Sequence, residues 1–127
     1  MLLPPVYVLA EGASEKAAVT AAEDWLALVD SGKYTESWHK AAGYFRNTVE
    51  IVQWEKSLHA VRKPLGKLIK RKVLSAKYYT SLPGAPEGKY VVVQFEASFE
   101  NRNKAVETVT PMLEADGLWK VSGYYIK

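Results

Sequence analysis

The sequence contains no cysteine, only two histidines and two methionines, and no apolar run long enough to span a bilayer. The lack of cysteine excludes disulfides, thiolate nucleophiles and cysteine-ligated zinc sites. No glycine-rich phosphate loop, nucleophile motif or metal-ligand spacing occurs in the chain. We therefore predict no metal, no other cofactor and no catalytic residue.

What is present indicates one globular domain. The chain has 127 residues, of which 48% are apolar and 24% charged, values that argue against disorder. Helix-like periodicity ends near Gly66, and period-two alternation follows it. The predicted helices run from Ser14 to about Ser31, from Thr35 through Phe45, and from Ile51 through Val61.

Four strands are predicted after the helices, joined as a meander with a hairpin at Asp116-Gly117. Imperfect alternation near Lys70 predicts a bulge or a late start of the first strand. Pro111 implies that its strand has an edge position, a bulge or an interruption. The predicted strands cover about 71–81, 91–100, 104–114 and 118–126. Helices followed by an antiparallel sheet make the fold class α+β.

A resemblance to known proteins rests on four strings, residues 25–30, 34–38, 80–86 and 106–110, and on the closing strand 116–124. The four strings resemble a bacterial family, the domain of unknown function 4019, and the closing strand resembles its wider superfamily. The resemblance covers about residues 17–126. It implies membership of the nuclear-transport-factor-2-like superfamily, with three N-terminal helices packed on a curved, cone-shaped four-stranded sheet. Members of that superfamily are isomerases, dehydratases, or binding and dimerisation modules, so the shared fold implies no chemistry.

The N-terminal residues resemble the end of an export signal. The apolar run Met1–Ala10 ends in Val8-Leu9-Ala10, which has small residues where a signal peptidase needs them. Residues 1–12 are therefore read as a signal remnant, with an N-terminal arm as the alternative, and residues 13–127 as the domain. The predicted location is periplasmic or secreted.

No residue of the sequence is a strong candidate for a catalytic or binding site. Asp24 adjoins the apolar stripe of the first helix and could act in acid–base chemistry, whereas Glu96 and Glu100 alternate with apolar residues and belong to the solvated face. His39 and His59 flank apolar stripes, as surface histidines usually do. The bulky aromatic side chains could fill the core or line a small-molecule pocket. The pocket candidates are Asp24, Trp25, Trp38, His39, Tyr44 and Trp54.

Positive charge is concentrated between residues 62 and 77, which carry seven basic residues and no acid. Such a cluster can attract phosphate. These residues are split between a helix end and a strand, and an exported protein rarely meets nucleic acid. The sequence therefore argues against a nucleic-acid partner.

The last strand has apolar residues on both faces, Trp119, Val121 and Tyr125 on one and Leu118, Tyr124 and Ile126 on the other. A sheet covered on one face should alternate cleanly. We therefore expect a homodimer formed through the sheet, with the N-terminal arm as the rival cover.

The function predicted from the sequence is a non-catalytic module that binds a small hydrophobic ligand or a protein partner in or around a cone-shaped pocket. The alternative is a cofactor-free lyase or isomerase that uses the same pocket. An inward Asp24, or His39 close to it, would favour the enzyme.

Overall fold

A computed structural model describes the backbone of residues 5–127 and the side chains of residues 12–127. In this part of the chain, four helices come first and four strands follow, which confirms the predicted α+β order. The helices are α1 (Pro5–Asp30), α2 (Tyr34–Lys40), α3 (Gly43–Thr48) and α4 (Ile51–Arg62), and the strands are β1 (Leu68–Tyr79), β2 (Tyr90–Phe99), β3 (Arg102–Leu113) and β4 (Trp119–Ile126).

The predicted second helix is divided into α2 and α3. Ala41 and Ala42 are extended between them, with ψ angles of 167° and 150°. The Ala42 N–H donates a hydrogen bond to the Val121 carbonyl of β4 at 2.8 Å, so the chain leaves the helix to satisfy this bond. The prediction of three helices was wrong for this reason.

The end of α1 follows the prediction, whereas its start does not. Gly32 has a φ of +76°, and its N–H donates to Val29 O while Lys33 N–H donates to Leu28 O. This is the Schellman arrangement, which favours glycine after the last helical turn. α1 begins at Pro5, so Ser14 lies within the helix and does not cap it.

The four strands form one open antiparallel sheet in the order β1-β2-β3-β4. The predicted bulge near Lys70 is confirmed by a register shift between Leu68 and Lys70. Pro111 lies at a register shift in the pairing of β3 with β4. Because β3 has a neighbour on each side, the edge position considered for Pro111 was wrong and the bulge was right.

The helices cover one face of the sheet, and α1 contacts all four strands. The apolar faces of the predicted helices and strands predict an interior filled by Trp25, Trp38, Trp54, Phe95 and Phe99. This is confirmed for Trp25, Trp54, Phe95 and Phe99, which are at most 7% exposed. Trp38 is only half-buried.

The buried stripe of α4 differs from the predicted one. The apolar spacing predicts a stripe of Ile51, Trp54, Leu58 and Val61. The observed stripe consists of Trp54, Leu58 and Arg62, and Val61 is 41% exposed. A charged residue at the end of a helix stripe reaches the interior only where it finds partners, and Arg62 has such a partner in Asp30.

The side chains of β4 do not divide between the two faces of the sheet as predicted. Val121 pairs with Pro111 and Tyr124 pairs with Val109, so β4 has one more residue than β3 between these two pairs. This irregularity turns both Val121 and Tyr124 towards the helices, while Tyr125 is 60% exposed. The mixed pattern reflects a change of face within the strand and gives no support for a homodimer, which stays a prediction.

Candidate functional site

An open groove of about 770 Å³ lies between α1, α2 and the turn that leads into β4. Its size is within the range of small-molecule sites. The groove is lined by Ala17, Thr20, Ala21, Asp24, Trp25 and Leu28 of α1, by Glu36, His39 and Lys40 of α2, and by residues 117–121.

The groove exists because α1 presents small side chains on this side. Ala17 and Ala21 leave space that a larger residue would fill, and the buried Trp25 forms part of the lining. On the opposite side, Trp119 is half-buried and Leu118 is 56% exposed. The groove therefore offers apolar contact area within reach of solvent.

The charged residues of the groove include acids and bases. Asp24, Glu36, His39 and Lys40 are exposed, and no ion pair joins Asp24, Glu36 or Lys40 to another described residue. Lys120 is engaged, since its Nζ lies 3.2 Å from Glu114 Oε1. The lining contains two acids and two lysines, and one of the lysines, Lys120, is paired with an acid outside the lining.

The structure brings three of the six predicted candidates into this groove. Asp24, Trp25 and His39 line it, whereas Trp38, Tyr44 and Trp54 do not. Glu96 and Glu100, which the sequence places on the solvated face, do not line the groove. Glu96 contacts Lys72 and Lys104 at 3.8 and 3.9 Å, and Glu100, just after β2, accepts a hydrogen bond from the Lys67 N–H at 2.8 Å.

Ser37 explains why the buried tryptophans are fixed in place. The Trp25 N–H donates to the Ser37 carbonyl at 2.9 Å, and the Trp54 N–H donates to Ser37 Oγ at 3.0 Å. The Ser37 hydroxyl in turn donates to Tyr34 O. Buried indole N–H groups need such acceptors. The buried Ser37 therefore fixes the position of Trp25, which lines the groove.

The other aromatic candidates connect parts of the fold. The Trp38 N–H donates to Val49 O at 2.8 Å, and the Tyr44 hydroxyl donates to the Gly84 carbonyl of the β1–β2 loop at 3.0 Å. His39 is exposed and packs edge-on against the Trp38 ring, with 5.2 Å between the centroids. Trp38 therefore supports the side of the groove without lining it.

A second set of residues, which sequence analysis missed, forms a buried ionic cluster: Asp30, Arg62, Arg71, Glu107 and Tyr124. The Arg71 guanidinium binds Asp30 Oδ2 and Glu107 Oε1, both at 2.7 Å. Arg62 Nη2 binds Asp30 Oδ1 at 2.8 Å, and the Tyr124 hydroxyl donates to Glu107 Oε2. Glu107 is fully buried, so the cluster joins α1 and α4 to three strands of the sheet.

The cluster contains two acids and two arginines. Burial, hydrogen bonds and neighbouring charges within it shift the pKa values of Asp30 and Tyr124. Burial tends to raise the pKa of Asp30, but hydrogen bonds from Arg71 and Arg62 outweigh it and lower that pKa. Burial and the neighbouring Glu107 carboxylate raise the pKa of the Tyr124 hydroxyl. Both directions favour an ionised Asp30 beside a neutral phenol at neutral pH.

Strand parity was the signal that could have revealed the cluster. Glu107 lies on the same face of β3 as the buried Ala105 and Val109, and Arg71 pairs with the buried Ala97 of β2. Arg71 on β1 and Glu107 on β3 thus face inward from the two strands that flank β2, and opposite charges at such positions indicate a buried ion pair. The acids considered from the sequence are Asp24, Glu96 and Glu100, and therefore do not include Glu107 or Asp30.

Arg62 is only partly satisfied by the described residues. Its Nε and Nη1 atoms are buried without a hydrogen-bond partner. The guanidinium carbon lies 4.9 Å from the centroid of the Phe99 ring, and this cation–π contact offsets part of the desolvation.

Asp30 predicts an acid-sensitive component of stability. Its pKa is lower in the folded state, so its contribution is present above the unfolded pKa of about 3.9 and is lost as the pH falls through the lower, folded value. We expect Asp30→Asn to be less stable than the unmodified protein at pH 6, with the difference shrinking towards pH 3. Urea unfolding across this range measures it, with Asp116→Asn as the exposed control. A constant difference at all pH values would contradict the prediction.

Within the described residues, no group of three or more histidine or carboxylate side chains could hold a metal ion. No described helix combines the length and the apolarity that crossing a membrane requires. The model of a family of proteins of unknown function, DUF4019, matches residues 21–124. A search of curated proteins gives no match.

Proposed function

Because the chain belongs to the DUF4019 family of proteins of unknown function, we propose a function from the groove alone: a non-catalytic module that binds a small ligand. The observation that supports this is an open groove of about 770 Å³ whose lining combines Trp25, Leu118 and Trp119 with exposed charged residues. A ligand with an apolar body and a charged group matches such a lining.

The proposal is tested by filling the groove. Ala17 is exposed and lines the groove, so Ala17→Trp should occupy the binding space without disturbing the core. We expect it to weaken binding of the probe 1-anilinonaphthalene-8-sulfonate, which has an apolar body and one anionic group, by about tenfold. Fluorescence titration of the folded protein measures this.

Ala27→Trp is the matched control, because Ala27 is an exposed alanine of the same helix that does not line the groove. This variant should bind the probe as the unmodified protein does. Amide chemical shifts should change around residues 117–121 when the probe is added. Equal binding by both variants, or no binding by the unmodified protein, would contradict the proposal.

A lyase or isomerase is the second candidate, and one observation favours it: Asp24 and His39 line the same groove. Both side chains are exposed, whereas enzymes commonly exclude water from the groups that transfer protons. Asp24→Asn and His39→Gln remove the two groups of the groove that are candidates for proton transfer. A binding module needs neither proton-transfer group, so both variants should retain probe binding within about threefold.

We also propose that the module is exported and has the cone-shaped, nuclear-transport-factor-2-like arrangement. The apolar Met1–Ala10 sequence supports export, and helices covering one face of an antiparallel meander are compatible with the arrangement. Cleavage after Ala10 would remove the Pro5–Ala10 part of α1. N-terminal sequencing of the native protein should then find Glu11 first, and an intact Met1 would contradict export.

A further inference from the structure

β1 is an edge strand. It pairs with β2 on one side, and among the described residues no backbone hydrogen bond joins residues 68–79 to anything outside the sheet. The N–H and C=O groups on its other side are therefore available to a further strand.

The exposed apolar residues are concentrated on this strand. Of the eight large apolar residues that are exposed in the described part of the chain, four belong to β1. They are Ile69 (64% exposed), Val73 (41%), Leu74 (48%) and Tyr79 (39%). The free edge thus has apolar side chains beside its unpaired backbone groups.

Two of these side chains project from bulges. Leu68 pairs with Phe99 and Lys70 with Ser98, so Ile69 is an additional residue without a partner on β2. In the same way, Leu74 is the additional residue between Val73 and Ser75, which pair with consecutive residues of β2. Bulges protect a sheet edge from aggregation, but protection does not require an exposed isoleucine and leucine at these positions.

The charge of β1 is entirely positive. Lys70, Lys72 and Lys77 are exposed, and the strand contains no acid. The nearest carboxylate to Lys72 is that of Glu96 at 3.8 Å, which Lys104 also contacts. Arg71, by contrast, is used in the buried cluster. Among the described residues, no ion pair involves Lys70 or Lys77, so β1 carries uncompensated positive charge at these two positions.

We propose that β1 is a docking edge for an extended acidic segment of another protein, which adds to the sheet as a fifth strand. Main-chain hydrogen bonds would provide affinity, while the lysines and the apolar side chains at the bulges would select a segment with alternating acidic and apolar residues. A second copy fits poorly, because two β1 strands would bring lysines together without acids. Nucleic acid fits less well, because the lysines are interspersed with aliphatic side chains and Tyr79 is the only exposed aromatic residue of the strand.

The test uses a fluorescent peptide about ten residues long in which glutamate alternates with valine, a length matched to a β-strand. Fluorescence anisotropy of this probe with the full chain should show saturable binding with a dissociation constant on the order of tens of micromolar. A peptide with lysine in place of glutamate tests charge. A third peptide, N-methylated at alternate backbone amides, keeps the side chains but cannot pair as a strand. The lysine peptide and the N-methylated peptide should each bind at least about tenfold more weakly than the acidic peptide.

Variants of the chain locate the site. Lys70→Glu with Lys77→Glu should weaken binding of the acidic peptide by at least about tenfold. Lys56→Glu with Lys89→Glu, two exposed lysines outside β1, is the matched control of equal charge change and should bind within about threefold of the unmodified protein. Ile69→Thr with Leu74→Thr keeps the charge and the β propensity but should also weaken binding. Ala17→Trp should have no effect, which separates this proposal from the function proposed for the groove.

Several results would overturn the proposal. The N-methylated peptide could bind as tightly as the acidic peptide, or the control variant could lose as much binding as Lys70→Glu with Lys77→Glu. A single-stranded oligonucleotide could bind more tightly than the acidic peptide. The peptide could also change chemical shifts only in the groove. Sedimentation that shows a dimer disrupted by Lys70→Glu with Lys77→Glu would assign the edge to a second copy instead. Failure of the acidic peptide to bind at about 1 mM would also refute it.

Discussion

Replacing Arg71 with methionine is expected to lower the free energy of unfolding by about 3–5 kcal/mol. Arg71 is the shared partner of two carboxylates, Asp30 and the fully buried Glu107, with contacts of 2.7 Å to each. Methionine preserves much of the side-chain volume but leaves both acids without this partner. Most of the loss arises from that uncompensated negative charge, and urea unfolding at pH 7 measures it.

Lys72→Met is the matched control, because Lys72 is the next residue of β1 but is exposed and has only a 3.8 Å contact to Glu96. Its effect should be within about 0.5 kcal/mol. A triple variant that combines Arg71→Met with Asp30→Asn and Glu107→Gln removes the charges together and should recover part of the loss. If Arg71→Met is as stable as the control, the cluster does not stabilise the fold.

The cluster and the groove are linked through α1. Asp30 connects the end of this helix to Arg71 and Arg62. Trp25, five residues earlier, donates a hydrogen bond to the Ser37 carbonyl and lines the groove. The helix that forms one wall of the groove is therefore held at two points. A rigid wall of this kind favours ligand binding, because less conformational entropy is lost when the ligand is bound.

Periodicity predicts most of the helices and strands, because the pattern of most elements is local to the element itself. It could not place the break at Ala42, which depends on a hydrogen bond to Val121 at the far end of the chain. The change of face in β4 was also missed, since it arises from a pairing irregularity opposite Pro111. Both errors have the same cause, a long-range backbone interaction that local patterns do not contain.

The candidate site was predictable only in part. Trp25 and His39 belong to different helices, and their meeting in one groove depends on the turn at Gly32, where positive φ lets the chain reverse. The residues from the loop before β4, including Leu118, come from far along the sequence and carry no motif. The groove results from tertiary packing of small side chains on α1, and residue types alone do not reveal such a space.

Truncating Trp54 to alanine is expected to cost about 3–5 kcal/mol of unfolding free energy. Trp54 is 7% exposed, and its ring lies 4.9 Å from Phe45, 6.0 Å from Trp25 and 6.5 Å from Tyr124, measured between centroids. Alanine would leave a cavity among these rings and would remove the N–H that donates to Ser37 Oγ. Urea unfolding followed by far-ultraviolet circular dichroism measures the loss without depending on tryptophan fluorescence.

Two further variants show which part of this effect comes from packing. Trp54→Phe keeps an aromatic ring in the cluster but loses the hydrogen bond to Ser37, so it should cost less than alanine does, about 1–2 kcal/mol. Val52→Ala, at a 57% exposed position of the same helix, should change the stability by about 0.5 kcal/mol or less. An unchanged midpoint for Trp54→Ala would mean that the interior does not depend on this ring. A loss equal to that of Trp54→Phe would attribute the effect to the hydrogen bond and not to the cavity.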